Sequence, residues 1–297
     1  METFFSPKSV AVIGASANKS KVGYSIIHNM AEAGFKGGLF PINPKETELE
    51  GLRCYPSVTE APGQIDLAVM CVPPKVILAS LEDLAKKGTT AMVVISAGFR
   101  ESGPEGMKME KEMVSKARTL GIHIIGPNCL GIISTHTKVN ATFAALTPDT
   151  GHIGFFSQSG ALCTAILDWA VGNHIGFSKF ISLGNKGDLN EADFVKYLSD
   201  DPETKVILGY LEGIEDGPRF MKECFEASKK KPLIVVKSGG SAAGARAASS
   251  HTGALAGSDK AFDAVCKQCG IIRAITASQL FDLANLFATQ PLPTTKT

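Results

Sequence analysis

The chain has 297 residues, 44% of them hydrophobic and 20% charged, with 30 Lys+Arg set against 29 Asp+Glu. That length predicts two domains, each with its own core, and the even charge balance argues against a polyanionic partner such as nucleic acid. The opening METFFSPKSVAVIG has no basic region ahead of a long apolar run, and no apolar stretch approaches the roughly 18 residues that span a bilayer, so a cytoplasmic protein with no membrane partner is expected.

In chain order, short apolar runs alternate with helix-length segments. SVAVI (9–13), GLFPI (38–42), LAVMCV (67–72), AMVVIS (91–96) and HII (123–125) read as strands, with amphipathic helices at about 23–33, 74–87 and 104–120. The last of these opens on Pro104, a favoured first-turn residue. The alternation predicts an α/β fold with a parallel sheet and crossover helices, and runs that stay apolar throughout mark strands covered on both faces. After GPNCLGIIS the pattern lapses through the polar THTKVNATFAALTPDTG, which puts a domain boundary near Pro148. A second series then begins: HIGFFS (152–157), FSKFISL (177–183), VILGYL (206–211), LIVVKS (233–238) and IIRAI (271–275). The expected organisation is two doubly wound parallel-sheet domains, 1–147 and 148–290, with 291–297 as a linker or tail. The seven cysteines are an odd number, set mostly in apolar segments, and are expected as reduced buried thiols. Cys266 and Cys269 spell C-x-x-C, but no second pair stands at zinc spacing, so their expected role is structural and no metal ligand is assigned.

VAVIGASANKSKVGYSII reads as a strand, a loop and a helix start, a layout that turns backbone N–H groups and a positive helix end toward an anion. Against G-x-G-x-x-G only Gly14 is in place, with Ser16 and Lys19 at the second and third glycine positions, and no Gly-Lys-Ser or Gly-Lys-Thr follows. The second strand ends in INPK, so Lys45 stands where an NAD-binding domain puts a carboxylate for the ribose hydroxyls. A cation there suits a phosphorylated ribose, that of NADP or that of coenzyme A. The plainer alternative is that Gly14 permits close packing and Lys45 is a solvated surface lysine. Turn residues close three more strands, VPP (72–74), SAGF (96–99) and GPNC (126–129), on the carboxyl edge where open parallel sheets bind ligands.

In the second half, FFSQSGALCTAILDWA is a strand, a serine turn and a helix. Its serines either cap the helix or help present its first N–H groups to a phosphoryl group. Five histidines have ordinary places: His28 on a helix, His123 and His152 at strand starts, His136 in the polar connection and His174 near a helix end. His251 stands apart, in KSGGSAAGARAASSHTGALAGSD, a run of small residues that builds no core and suits close approach to phosphate or a partner surface. Neutral imidazole is a nucleophile toward phosphoryl and acyl-phosphate centres, and Glu212, just after VILGYL, is placed to orient the ring.

VAVIGAS, INPK, GPNC, SQSGAL and SSHTGALAGSD together resemble, in order and across essentially the whole chain, the CoA-binding and ligase domains of the NDP-forming acyl-CoA synthetases. That family includes ADP-forming acetate–CoA ligase, the closer branch, and the succinyl-CoA synthetase α subunit. The resemblance implies a Rossmann-like CoA-binding domain followed by a flavodoxin-like ligase domain. It also implies a relay. Phosphate displaces CoA from an acyl-CoA, His251 takes the phosphoryl group from the acyl phosphate, and an ATP-grasp domain, on a β subunit or further along the same chain, passes it to ADP with Mg²⁺. Residue by residue, it implies that Glu212 holds the phosphohistidine and that Ser159 and Gly160 support its phosphate. Gly14, Ser16, Ala17, Lys45, Val72, Pro73, Ile95, Ser96 and Ala97 become CoA contacts, with Asn128 and Cys129 near the thiol end. Thr164 replaces a tyrosine of the succinyl enzymes, which turns the expected substrate toward acetate or an aryl or branched acid. A CoA-sensing module without catalysis is a second reading, against which the presence of His251 counts. An NADP-dependent oxidoreductase is a third, and it leaves SSHTGALAGSD unexplained.

The Lys45 assignment has a direct check by calorimetry. Lys45→Ala should weaken CoA more than dephospho-CoA, by about 1.5–3 kcal/mol for a charge-assisted contact; equal losses refute the 3′-phosphate role.

Overall fold

The computed structural model describes residues 1–238 and 259–291; His251, with the rest of 239–258, and residues 292–297 lie outside the described residues. The first strand, β1 (Ser9–Ile13), is buried along its whole length. Its side chains part alternately, Val10 and Val12 into one apolar layer, Ala11 and Ile13 into another. Such two-sided burial is what a parallel strand between helical layers requires. β2 (Gly38–Ile42) follows, then a short antiparallel pair, β3 (Glu48–Leu49) and β4 (Leu52–Arg53), then β5 (Leu67–Met70), β6 (Ala91–Val94) and β7 (His123–Ile125). The five long-range strands form one parallel sheet in the order β2-β1-β5-β6-β7, so the winding reverses between β1 and β5. Helices α1 (Glu2–Phe5) and α2 (Val22–Glu32) cover one face, and α3 (Pro74–Lys86) and α4 (Pro104–Thr119) the other. Both α3 and α4 start on a proline, whose missing N–H costs nothing in a first turn.

The second sheet has the order β14-β13-β12-β10-β11-β8-β9. Its parallel part is β10 (Thr150–Ser157), β11 (Phe177–Ser182), β12 (Val206–Leu211), β13 (Leu233–Lys237) and β14 (Ile272–Ala274). The remaining two strands correct the sequence reading. GIIS and the start of the polar stretch, both assigned to the first domain, form a hairpin, β8 (Gly131–Ser134) and β9 (Val139–Thr142), that joins the second sheet by antiparallel pairing of β8 with β11. All eight positions are buried. Threonine and asparagine are tolerated there because they satisfy one another: Thr142 Oγ1 donates to Asn140 Oδ1 at 2.7 Å, and Asn140 Nδ2 to Thr147 Oγ1 at 2.8 Å.

Helices α5 (Gly160–Gly172) and α9 (Ala277–Thr289) pack on one face of this sheet, and α6 (Glu191–Asp200), α7 (Gly217–Ser228) and α8 (Asp259–Cys269) on the other. That second face merges with the α1–α2 face of the first sheet. Val10, Val12, Val69, Phe4, Phe5 and Ile26 belong to one buried cluster with Phe156, Ile181, Phe194 and Phe220. The two halves share a middle layer where separate cores were expected. All seven cysteines are free thiols, and Cys266 and Cys269 are buried in this layer. Among the described residues no helix is long and apolar enough to cross a membrane.

The hairpin is fastened to the first half by Asn29 on α2, whose Nδ2 donates to the carbonyls of Thr142 and Ala144, each at 2.8 Å. Asn29→Ala strands two buried acceptors, and urea unfolding should show a loss of about 2–3 kcal/mol; a loss within ±0.5 kcal/mol, as for a surface change, would mean the hairpin docks by its apolar face alone.

Candidate functional site

The loop between β1 and α2 is built around two glycines that meet. Gly14 has φ +90, and a Cβ there would lie 2.6 Å from the Cys71 carbonyl oxygen and 2.7 Å from Val72 Cγ1. Gly23, in the first turn of α2, approaches so closely that a Cβ would lie 2.0 Å from the Gly14 carbonyl oxygen. The helix start is therefore pressed onto the strand end, the packing that a third glycine provides in dinucleotide loops. Gly23 sits beyond the G-x-G-x-x-G spacing, so the fingerprint does not point to it. Asn43, at the end of β2, donates from Nδ2 to the Ala15 carbonyl at 2.6 Å, and its Oδ1 accepts from the Lys45 N–H at 2.8 Å. INPK thus fixes the loop and leaves the Lys45 side chain exposed beside it. The Glu46 carboxylate reaches the Ala17 N–H at 3.4 Å, so a ligand anion would compete with it for that donor.

The other expected positions fall on the same carboxyl edge. Val72 and Pro73 follow β5, with Pro73 as the N-cap of α3; Ile95, Ser96 and Ala97 follow β6; Asn128 and Cys129 follow β7. Ala17, Lys45, Pro73, Ala97 and Asn128 are exposed along it, and Ser16, Val72 and Ser96 are half-buried. Ile95 and Cys129 point inward: the Cys129 thiol donates to the Val94 carbonyl at 3.3 Å and is buried. Burial pushes the Cys71 thiol up to about 12, which leaves no thiolate for nucleophilic work.

At the second half, Ser157 ends β10 and Ser159 is the N-cap of α5, its Oγ accepting from the Leu162 N–H at 3.3 Å. Capping accounts for Ser159, and Gly160 begins the helix beside it. Gln158 does more than the sequence suggested. Its Oε1 accepts from the Glu212 and Gly213 N–H groups at 2.7 and 2.9 Å, and its Nε2 donates to the Gly213 carbonyl at 2.9 Å and to Glu191 Oε2 at 3.1 Å. One buried amide thus pins the chain after β12, and Glu212 with it, against the turn that starts α5. Lys186 closes the network, reaching the Gly213 carbonyl at 2.9 Å and Glu191 at 3.2 Å.

The two edges interlock. The turn after β11 donates from the Asn185 and Gly187 N–H groups to the carbonyls of Pro127 and Gly126, at 2.8 and 2.9 Å. Asn185 Nδ2 reaches Glu101 at 2.6 Å and Glu110 at 2.9 Å. Burial raises the Glu101 carboxyl, but hydrogen bonds from Asn185, Gly98 and Phe99 outweigh it and hold the group below its usual range. Asn128 and Lys186, one from each side of the interlock, both have left-handed backbone, φ 58 and φ 56. Strain of that kind in residues other than glycine collects where geometry is over-determined, functional sites among them. Asn128, at the end of the first edge, is thereby joined through Asn185 and Lys186 to Gly213 and Glu212 on the second. β13 ends at the same edge, where the Ser238 N–H bonds the Leu211 carbonyl at 2.8 Å, one residue before Glu212. His251 lies outside the described residues.

Residues 8–135 match the model of a CoA binding domain, and residues 150–287 that of a succinyl-CoA ligase like flavodoxin domain. The chain is 48% identical over 286 residues to acetate–CoA ligase [ADP-forming] I of Archaeoglobus fulgidus, covering 96% of this chain and 42% of the relative. It is 46% identical over 297 residues to the α subunit of acetate–CoA ligase [ADP-forming] I of Pyrococcus furiosus, covering 99% of this chain and 64% of that subunit. Among solved structures, the dinucleotide forming acetyl-coenzyme A synthetase 1 of Ca. Korarchaeum cryptofilum, in complex with phosphate and ADP, superposes with a TM-score of 0.94 at 40% identity, over 99% of this chain and 63% of that one. The chain thus spans between 42% and 64% of the length of these relatives.

The Gln158 network is open to test by itself. Gln158→Leu keeps the bulk but leaves the Glu212 and Gly213 N–H groups and one Glu191 oxygen without their partner, and should cost about 2–4 kcal/mol in urea unfolding. An unchanged midpoint would show that the strand ends are held by the backbone alone.

Proposed function

The chain belongs, through both its domains, with the ADP-forming acyl-CoA synthetases, and we propose that it is the CoA-binding, phosphohistidine-carrying part of an acid–CoA ligase acting on acetate or a similar small acid. One observation carries the reading: the carboxyl edge of the first sheet, which ends at Asn128, is locked to the edge that bears Ser159 and Glu212, so a thioester held along the first edge delivers its acyl end toward the second. CoA fits the first edge on two grounds. The Gly14 and Gly23 contact presses the start of α2 onto the end of β1, which brings the first backbone N–H groups of that helix to the edge where an anion would bind, and Lys45 offers an exposed cation to a ribose phosphate.

Chemically, a phosphate oxygen attacks the acyl carbon, the C–S bond breaks, and the thiolate leaves as CoA, giving an acyl phosphate. The first turn of α5, capped by Ser159, stabilises the phosphoryl oxygens with its N–H groups. An imidazole nitrogen of His251 then attacks phosphorus and the P–O bond to the carboxylate breaks. Glu212, pinned by Gln158, accepts from the other ring nitrogen and stabilises the developing positive charge. Transfer from His251 to ADP belongs to an ATP-grasp subunit or domain, with Mg²⁺ supplying charge neutralisation at the nucleotide. The name of the Pyrococcus α subunit supports such a partner. Reduced cysteines support a cytoplasmic place of work.

Calorimetry with CoA, NADP and ADP tests the binding half: CoA alone should bind, and NADP without CoA would overturn the reading in favour of an oxidoreductase. The catalytic half is tested by incubating the chain with acetyl-CoA and radiolabelled phosphate. The wild type should acquire a base-stable, acid-labile label, His251→Asn should lose it while keeping CoA affinity, and Glu212→Gln should acquire it more slowly without a change in melting temperature. CoA binding with no label on the wild type would indicate a CoA-sensing module, and a label that survives in His251→Asn would put the phosphoryl carrier elsewhere.

A further inference from the structure

At the opposite, amino edge of the second sheet, two histidines and a carboxylate converge from three separate elements. His136 lies in the β8–β9 turn, His152 at the start of β10, and Glu203 between α6 and β12. One ligand atom from each lies within 4.8 Å of the other two, and all three residues are partly buried or at the surface boundary. We propose that His136, His152 and Glu203 form a divalent-cation site of the zinc type, with water completing the coordination.

Hydrogen bonding argues for this more strongly than proximity does. His136 Nε2 lies 3.0 Å from the Gly151 carbonyl oxygen, and His152 Nδ1 lies 2.9 Å from the Glu203 carbonyl oxygen. A carbonyl can only accept, so each of those nitrogens carries the ring proton, and in a neutral imidazole the other nitrogen carries a lone pair. His136 Nδ1 then faces Glu203 Oε2 at 3.2 Å, two acceptors with no donor between them. Something positive belongs there. A backbone carbonyl on the far nitrogen is also the arrangement that orients metal-bound histidine and raises its basicity. Ligand bonds of about 2.0–2.1 Å at tetrahedral angles set donor atoms roughly 3.3 Å apart. The His136–Glu203 pair already has that spacing at 3.2 Å, so closing the cluster takes side-chain movement on the order of 1 Å. Two imidazoles with one carboxylate favour zinc and its first-row neighbours over magnesium or calcium, which take oxygen alone.

The position gives the site its work. His152 is five residues before Ser157 along β10, so at about 3.3 Å per residue the cluster sits some 17 Å from the carboxyl edge. An ion there ties the hairpin turn to the first strand of the flavodoxin-like domain and to the loop entering β12, a structural role away from the acyl-transfer chemistry.

The test uses the full 297-residue chain, stripped with EDTA and titrated with Zn²⁺ against a chromophoric competitor, and with Co²⁺ followed by its visible spectrum. One equivalent should bind, Co²⁺ should show no thiolate charge-transfer band, and Zn²⁺ should raise the melting temperature reversibly. Glu203→Gln and His152→Gln, checked for folding by circular dichroism, should each weaken Zn²⁺ by at least about tenfold and abolish the rise. A lack of saturable binding would mean that a proton alone fills the gap and would overturn the proposal. So would a thiolate band, or binding that both variants leave unchanged.

Discussion

Burying a carboxylate is costly unless its charge is paired and its oxygens are bonded, and Glu191 is the place where this chain accepts that cost. Its side chain is 2% exposed, with Lys186, 10% exposed, against it at 3.2 Å and the Gln158 amide at 3.1 Å. Gln158 follows β10, Lys186 and Glu191 both follow β11, and Gln158 and Lys186 also bond the chain at 212–213 after β12, so satisfying a single buried charge draws the exits of β10, β11 and β12 to one point. Gln158 cannot serve Glu191 without also turning its oxygen to the N–H groups of residues 212 and 213. The placement of Glu212 is in this sense a by-product of solvating Glu191 with protein groups instead of water. The turn that carries Lys186 is the same one that hooks over Gly126 and Pro127, and so the electrostatic constraint propagates into the alignment of the two sheets.

Packing reinforces that alignment. In each sheet the odd and even positions of the central strands feed different apolar layers, and one layer from each sheet is common to both. Sliding one half over the other would need the shared cluster to open, which interiors packed at crystal-like density resist. Rigid contact between the halves suits a reaction in which a ligand spans both, because reacting atoms displaced by an ångström can lose a hundredfold in rate.

Much of this was legible in the chain itself. Strands buried on both faces stand out as unbroken apolar runs, and β12 coincides with VILGYL at both ends. The strand-end turns that form the first edge announce themselves through proline, glycine and serine. What escaped was everything fixed by tertiary pairing. β9 carries an asparagine and a threonine that bond one another inside the fold, a compensation no local pattern reveals. Gly23 read as an ordinary helix residue, because its meaning lies in an approach to Gly14 so close that any Cβ would lie 2.0 Å from the Gly14 carbonyl oxygen. Gln158 looked like a spacer between two serines, since its partners lie more than thirty positions away. His136, His152 and Glu203 were invisible as a group for the same reason: ligand spacing is readable only when a motif is local. The stretch around His251 is the reverse case, conspicuous in sequence through its small residues and outside the described residues.

The β8–β9 hairpin bears on how such a unit can be cut and joined. β8 covers the edge of β11, whose N–H and C=O groups would otherwise offer a template to any passing strand. A fragment starting at the apparent connection near residue 148 would leave those two strands behind, baring both the edge of β11 and the apolar surface that Ile132 and Ala141 cover. The natural seam for recombination or fusion therefore runs through the turn at 126–130, ahead of the hairpin, and a gene spliced at the polar linker would inherit a sheet with an open, sticky flank.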